Sequence, residues 1–537
     1  MESQSPHSQS VDTSASPFVS ATITADTLES LAESVRVAGP QQDTFVVRTP
    51  ISDVPIGQVP AYDDTDVEAA VSRARDAQPA WETRDPADRG AIIERFADLV
   101  TEHDDRLLDI VQLETGKARR HAAEELLDVA PTSTYYAQRA PDLLADERRD
   151  GVVPLVTDAR VTREPVGVVG VISPWNYPLT LSITDVIPAL LAGNAVVLKP
   201  DEKTPYVALE LVRLLTEAGL PEDVCTVVTG EGAVVGPALI DRVDYLAFTG
   251  GTDTGRVVAE QAGRNLIDSS LELGGDNPMI VLEDADIDQA ARGAVTAAFT
   301  NAGQLCLSIE RIHVAEAVYD AFLDAFVGAT RRLTLGVGVG DDADVGSLID
   351  ANQLERVETH VDDAVERGAS VVTGGRARPD LGPFCYEPTI LTDVDPGSVT
   401  ACEETFGPVV RVEPVSSPAA AVEAANDTTY GLNASVWTDD RATGLEIARE
   451  IEAGTVCLND GYIAGWAAVD APMGGFGDSG MGRRHGPEGL RRFTEAKTIA
   501  TSRVGPVAIP GIVPTRYVTA TMGGLRRVRR RLRGLFS

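Results

Sequence analysis

Val166-Gly167-Val168-Val169-Gly170-Val171-Ile172-Ser173-Pro174-Trp175-Asn176-Tyr177-Pro178 is an apolar run closed by a proline-bracketed turn, and it decides the fold class. No polar residue interrupts Val166 to Ile172, so the run predicts a strand buried on both faces. Similar short runs follow at Ala195 to Leu198, Val224 to Val228, Tyr245 to Phe248 and Met279 to Leu282. Helical stretches, Thr204 to Ala218 and Gly255 to Ala262, lie between them, which predicts a parallel sheet covered by helices. Such sheets bind ligands beyond the carboxyl ends of their strands. A second alternation follows Gln304, through Arg311 to Val314, Ser370 to Thr373, Val409 to Val412, Ala434 to Thr438 and Thr455 to Leu458, and predicts a second α/β domain. Upstream, Asp64 to Trp81, Asp85 to His103, Asp104 to Gly116 and Ala122 to Ala145 carry helical spacing with Asp at expected N-caps. Val and Thr alternate with polar residues between Gly151 and Glu164, a candidate strand pair reaching toward a neighbouring subunit.

At 537 residues the chain is long enough for two or three domains of roughly 100 to 200 residues each. The net charge of −36 excludes a phosphate-rich partner such as nucleic acid. Among 46 basic residues only four are lysines, Lys117, Lys199, Lys203 and Lys497, leaving 42 arginines. An acidic, lysine-poor composition fits a protein from a very salty cytoplasm, where self-repulsion is screened, and also a GC-rich genome. Five scattered cysteines, Cys225, Cys306, Cys385, Cys402 and Cys457, suggest neither a disulfide framework nor a metal site, so no metal and a reducing cytoplasm are expected. No apolar run approaches the roughly 18 residues of a membrane span.

Three motifs fall where strands of the first sheet should end. The turn after Ser173 displays Asn176, whose amide is a neutral donor suited to a developing oxyanion; a purely structural turn is the plain alternative. Lys199-Pro200-Asp201-Glu202-Lys203 uses two of the four lysines, so Lys199 is expected to supply a compact ammonium, for instance to ribose hydroxyls. Glu202 beside it suits a ribose 2′-hydroxyl and would reject a 2′-phosphate. Phe248-Thr249-Gly250-Gly251-Thr252-Asp253-Thr254-Gly255 ends a strand and opens a helix, so its amides could face a pyrophosphate. It is neither a Walker loop nor Gly-x-Gly-x-x-Gly; Gly230-Glu231-Gly232 with Gly236 comes closer, though such a pattern alone is more often a turn.

Asn301-Ala302-Gly303-Gln304-Leu305-Cys306 sets one cysteine after a glycine turn, at the end of an apolar helical run. Leu271-Glu272-Leu273-Gly274-Gly275 sets one carboxylate between leucines, on a segment that could swing an acid toward a thiol. Together they outline a nucleophile whose thiol pKa is lowered by local dipoles and a base whose pKa is raised by apolar surroundings. Separately, a small buried cysteine and a helix end are the plainer readings.

From about Phe45 to Thr501 the chain resembles the aldehyde dehydrogenase superfamily. The resemblance rests on Pro174-Trp175-Asn176, Lys199-Pro200, Phe248-Thr249-Gly250, Glu272-Leu273-Gly274-Gly275, Gly303-Gln304-Leu305-Cys306, Glu404-Thr405-Phe406-Gly407-Pro408 and Asn459-Asp460, in family order. It implies Cys306 as nucleophile, Asn176 as oxyanion donor and Glu272 as the base that activates water. It places Trp175, Lys199, Glu202, Gly232, Thr249, Gly250, Gly255, Leu273, Glu404 and Phe406 around NAD, with NADP open as an alternative. The implied fold is two α/β domains plus a bridging strand arm, in a homodimer or homotetramer. The implied boundaries are a disordered tail over 1–38, a cofactor domain over 39–145 and 165–274, and a catalytic domain over 275–476. The arm takes 146–164 and 477–510, and a basic tail 511–537.

Ala471 to Gly486 with Gly489 to Thr498 is similar to a succinate-semialdehyde dehydrogenase branch, so succinate semialdehyde is the expected substrate, with another or a broad set of aldehydes as the alternative and a non-catalytic binding protein as the competing class. Thr300 stands where many such enzymes carry an arginine, and Ser308 where some carry a second cysteine. Asp276 replaces the lysine common after Glu-Leu-Gly-Gly, which reads as acidic adaptation. Seven arginines from Arg516 onward could lie on an anionic membrane or dock on the protein's own acidic surface.

Overall fold

The run at Val166 forms the strand Val168–Ser173, the third of five parallel strands. In spatial order these are Asp268–Glu272, Tyr245–Thr249, Val168–Ser173, Ala195–Pro200 and Cys225–Val227. Every residue of Ala195–Pro200 and Tyr245–Thr249 is buried, as unbroken apolar runs require. The computed structural model describes residues 22–37, 43–151 and 157–503, together with 505, 519, 523 and 524. The N-terminal residues 1–21 and, apart from 519, 523 and 524, the basic tail lie outside these, and with them the expectation of membrane contact. No helix among the described residues is long and apolar enough to cross a membrane.

The second sheet has seven strands in the order Ser370–Thr373, Thr389–Thr392, Val409–Val415, Ile309–Ala315, Asn277–Val281, Asn433–Trp437 and Thr455–Leu458. All neighbours are parallel except the first pair. The chain leaves the first sheet at Glu272 and enters the middle of the second at Asn277, so the loop between them bridges the two domains. A third, antiparallel sheet joins Glu147–Asp150, Thr157–Pro165 and Thr494–Ser502, the last almost wholly exposed.

Two expectations are corrected here. The stretch assigned to a disordered tail contains the helix Ala25–Glu33, capped by Thr24, with Leu28, Leu31 and Ala32 buried against the body. Its polar composition conceals apolar residues at helical spacing, and their burial offsets the ordering entropy. The segment 477–510 is also not all arm. Gly480–Met481 pairs with Glu272 and Leu271, so it edges the first sheet, and only from Thr494 does the chain join the arm.

Candidate active site

One helix and the left-handed turn after it aim the nucleophile. Helix Ile287–Phe299 ends with Phe299 stacked on Phe326 at 5.9 Å, an apolar anchor whose burial is worth about 2 kcal/mol per ring. The backbone then turns through Asn301 (φ 52°), Ala302 (φ 54°) and Gly303 (φ 72°). Left-handed backbone costs a non-glycine residue about 1–2 kcal/mol, so something must hold it. The Asn301 side chain donates to the carbonyls of Asn176 and Gln304, both at 3.1 Å, and the Asn301 amide donates to His121 Nδ1 at 3.1 Å. Gln304 returns a bond to Asn301 O at 2.9 Å and accepts from the Ile349 amide at 2.9 Å. A Cβ at residue 303 would lie 2.0 Å from Gly407 O, so only glycine fits. Asn277 then clamps the exit, donating to the carbonyls of Cys306 and Ser308 at 2.7 Å each.

Cys306, Asn176 and Glu272 line one cavity of about 620 Å³. Asn176 follows the strand Val168–Ser173, and its Nδ2 donates to Gln304 O at 3.0 Å, leaving its second amide hydrogen free to meet the oxygen of a carbon bonded to the sulfur. Its carbonyl is fixed by Lys117 Nζ at 2.6 Å, and Lys117 is paired with Glu125 at 2.7 Å, both side chains fully buried. Glu272 is the last residue of its strand, between Thr249 and Gly480, rather than a helix end or a swinging segment. Its Oε1 has no hydrogen-bond partner among the described residues, and burial pushes its pKa up to about 7. Arg484 opposes that rise; it is held by Asp185 at 2.7 Å and Thr249 Oγ1 at 3.0 Å.

The expected lowering of the thiol pKa is overturned. Burial pushes Cys306 up to about 12, and the carboxyls of Glu404 and Glu272 add to the rise beyond what Arg484 takes back. The sulfur therefore rests as a thiol, and its proton must be taken by a neighbouring base.

The other residues named from the sequence fall into two groups. Trp175, Thr249, Gly250, Leu273, Glu404 and Phe406 line the cavity with Cys306. There Trp175 meets Phe406 edge-on at 5.6 Å, and Glu404 accepts from the Gly275 amide at 3.0 Å while burial raises its pKa to about 7. Glu202 and Gly232 line a separate opening of about 470 Å³. Buried Lys199 pairs there with Glu202 at 3.2 Å, and Gly232 opens the helix Gly232–Ile240. The donor set fits a dinucleotide: an ammonium and a carboxylate for a ribose, and at Thr252 a helix start with no side-chain cap for a pyrophosphate. Gly255 is the exception, because it lies inside that helix, where a Cβ would meet Leu273 Cδ2 at 2.4 Å; its role is packing.

Asp276 is likewise not surface adaptation. It is buried between Arg311 at 3.1 Å and Arg411 at 3.3 Å, and a buried carboxylate needs such partners. Lys117, Asn277, Asn301, Gln304 and Arg484 were missed as supports of the site. Lys117 carried a readable signal, being one of four lysines, and Asn301 and Gln304 sit within the nucleophile stretch itself.

A profile of the Aldehyde dehydrogenase family matches residues 37–499. A Mycolicibacterium smegmatis protein named "Putative succinate-semialdehyde dehydrogenase", of the NADP type, is 50% identical over 497 residues, 92% of this chain and 95% of its own. The betaine aldehyde dehydrogenase of Bacillus subtilis is 38% identical over 80% of this chain and 88% of its own. Among solved structures, betaine aldehyde dehydrogenase from Staphylococcus aureus in complex with NAD+ matches with a TM-score of 0.83 at 31% identity, covering 91% of this chain and 100% of its own. An E. coli NADP-dependent enzyme matches with the same TM-score at 35% identity, covering 86% and 95%. The chain belongs to the aldehyde dehydrogenase family and is an NAD(P)-dependent enzyme of that family.

Proposed function

We propose that this chain oxidises an aldehyde to a carboxylic acid through a thioester on Cys306, a reading supported above all by the convergence of Cys306, Asn176 and Glu272 on one cavity. Sulfur attacks the carbonyl carbon, and the thiol proton passes to the Glu272 carboxylate. Asn176 Nδ2 and the Cys306 amide hold the oxygen as it gains charge. Trp175, Lys199, Glu202, Thr249, Glu404 and Phe406 would hold NAD or NADP, which would accept the aldehyde hydrogen as hydride. Once Glu272 has released that proton to solvent, it takes one from water as the water oxygen bonds to the acyl carbon; the carbon–sulfur bond breaks with its electron pair on sulfur, which takes a proton back, and the acid leaves. Glu202 supports NAD, whereas the mycobacterial relative's name supports NADP.

For the substrate, that relative's name supports succinate semialdehyde. The lining beside Cys306 favours a second reading, an uncharged aldehyde, because the described residues that line it include no lysine or arginine to meet a carboxylate. The exposed strand Thr494–Ser502 with Ile499 at its surface supports assembly as a homodimer or homotetramer. An assay of NADH or NADPH formation over an aldehyde panel tests the reaction. Cys306→Ala is expected to abolish it, and parental rates in that variant would refute the thioester route.

A further inference from the structure

A second cavity, of about 370 Å³, lies beside the nucleophile segment. The residues flanking the nucleophile, Leu305 and Leu307, line it, and Cys306 packs against the apolar cluster of Tyr177, Leu181, Leu305, Leu307 and Tyr462. A carbon chain lying in this opening would therefore end beside the nucleophile segment, with the first cavity left for the dinucleotide. Among the described residues that line it there is no lysine or arginine, but there are three carboxyls, Glu124, Glu125 and Asp128.

Two of the three are committed elsewhere. Glu125 is paired with Lys117 and accepts from the amides of Leu179 at 2.8 Å and Thr180 at 3.0 Å, closing the start of helix Pro178–Leu191. Asp128 accepts from Thr132 and Thr180 hydroxyls, both at 3.0 Å. Glu124 instead receives the phenols of Tyr177 at 3.3 Å and Tyr462 at 3.2 Å, both on the one oxygen Oε2. These two rings are cavity wall, so the carboxyl is held at the wall of the space that an aldehyde's chain would fill.

Resting on the oxidation reading above, we infer that Glu124, clasped by Tyr177 and Tyr462, is a specificity-determining residue that admits aldehydes with an uncharged tail and disfavours those ending in a carboxylate. A second anion beside it would have no cation to answer it, and in a low-dielectric wall the repulsion is weakly screened. An uncharged chain loses nothing to the carboxyl and gains burial against the leucines and Trp466. Burial raises Glu124 to about 7, so the discrimination grows as pH rises through 7 and the carboxylate forms. Of the facing groups, Lys117 pulls against that rise while paired with Glu125, Asp128 titrates at about 6 and adds to the repulsion, and the phenols of Tyr177 and Tyr462 are pushed above their usual range and remain neutral.

The test compares kcat/KM for butanal and succinate semialdehyde, two four-carbon aldehydes that differ in the terminal carboxylate, at pH 6 and pH 8. At pH 8 the wild-type enzyme is expected to prefer butanal by about tenfold or more, with a smaller ratio at pH 6. Glu124→Gln should shrink the pH 8 ratio several-fold and remove most of its pH dependence; the ratio cancels any general effect on turnover. Preference for succinate semialdehyde by the wild-type enzyme at pH 8 overturns the inference without needing the variant, as does an unchanged ratio in Glu124→Gln. Failure of both aldehydes and of a wider panel to yield NADH or NADPH would instead overturn the oxidation reading, and this one with it.

Discussion

Replacing Glu272 by glutamine should move stability and activity in opposite directions, and the structure gives both sizes. The carboxyl ends a buried strand, has one oxygen without a partner among the described residues, and is shifted from 4.5 to about 7, chiefly by burial. A carboxyl whose folded pKa is raised binds its proton more tightly in the folded state. Stability is therefore lost as pH rises from the unfolded value near 4.5, and the loss is complete above about 7. A shift of this size corresponds to about 3 kcal/mol, so Glu272→Gln should raise the melting temperature at pH 8 and change it little at pH 4. The same variant loses the proton acceptor. Hydrolysis of the acyl-enzyme should slow by about 10²–10⁴, appearing in stopped flow as a burst of NADH followed by a much slower steady rate. In the wild-type enzyme the slow step should rise about fivefold between pH 6 and 7 and level off beyond 8, following ionisation of a base near 7. A variant that keeps this profile, or that is destabilised at pH 8, would refute the assignment of Glu272 as a strained, buried base.

Two other substitutions probe the remaining roles. Asn176→Ala removes one oxyanion donor while Lys117 still holds the backbone carbonyl, so kcat should fall about 10²–10³ with little change in the melting temperature; an unchanged kcat would assign the amide to structure alone. Glu202→Gln removes the carboxylate beside Lys199, and the NADP-to-NAD ratio of kcat/KM should rise about tenfold; a constant ratio would show that Glu202 does not face the 2′ position.

The parts of the fold that were legible are those where one face or one period decides burial. Val168–Ser173, Ala195–Pro200 and Tyr245–Thr249 lie inside on both faces, so each reads as an unbroken apolar run. Asp85 caps its helix as the sequence suggests, the cap of the helix before it falls on Asp63 rather than Asp64, and Gly116 ends one in the left-handed region. Asp268–Glu272 was read otherwise because Asp268, Ser269 and Ser270 give it a polar start, and its strand character comes from pairing with Tyr245–Thr249. The same limit hid the setting of the nucleophile. Sequence supplies the identity of Cys306, but its proton affinity depends on Glu404, 98 positions away, and on burial that no local pattern encodes. Asp276 shows the converse, since a charge that looked like surface composition is internal, and its partners Arg311 and Arg411 belong to neighbouring strands of the second sheet.

The distribution of lysine follows from the same division between surface and interior. Three of the four lysines stand at the site: Lys117 under Asn176, Lys199 beside Glu202, and Lys203 facing the Trp175 ring at 5.9 Å. Lys117 fills a space bounded by Glu125, the Asn176 carbonyl and the face of Tyr177 at 3.9 Å. A compact ammonium meets all three at once, whereas a planar guanidinium is larger and needs its donors in one plane. Exposed positions impose no such shape, and there the chain uses arginine almost throughout. Whatever drove the surface toward arginine and acid therefore stopped where a cation must fit a closed space. The wall of the active site is the boundary at which bulk composition ceases to determine the residue and local geometry takes over.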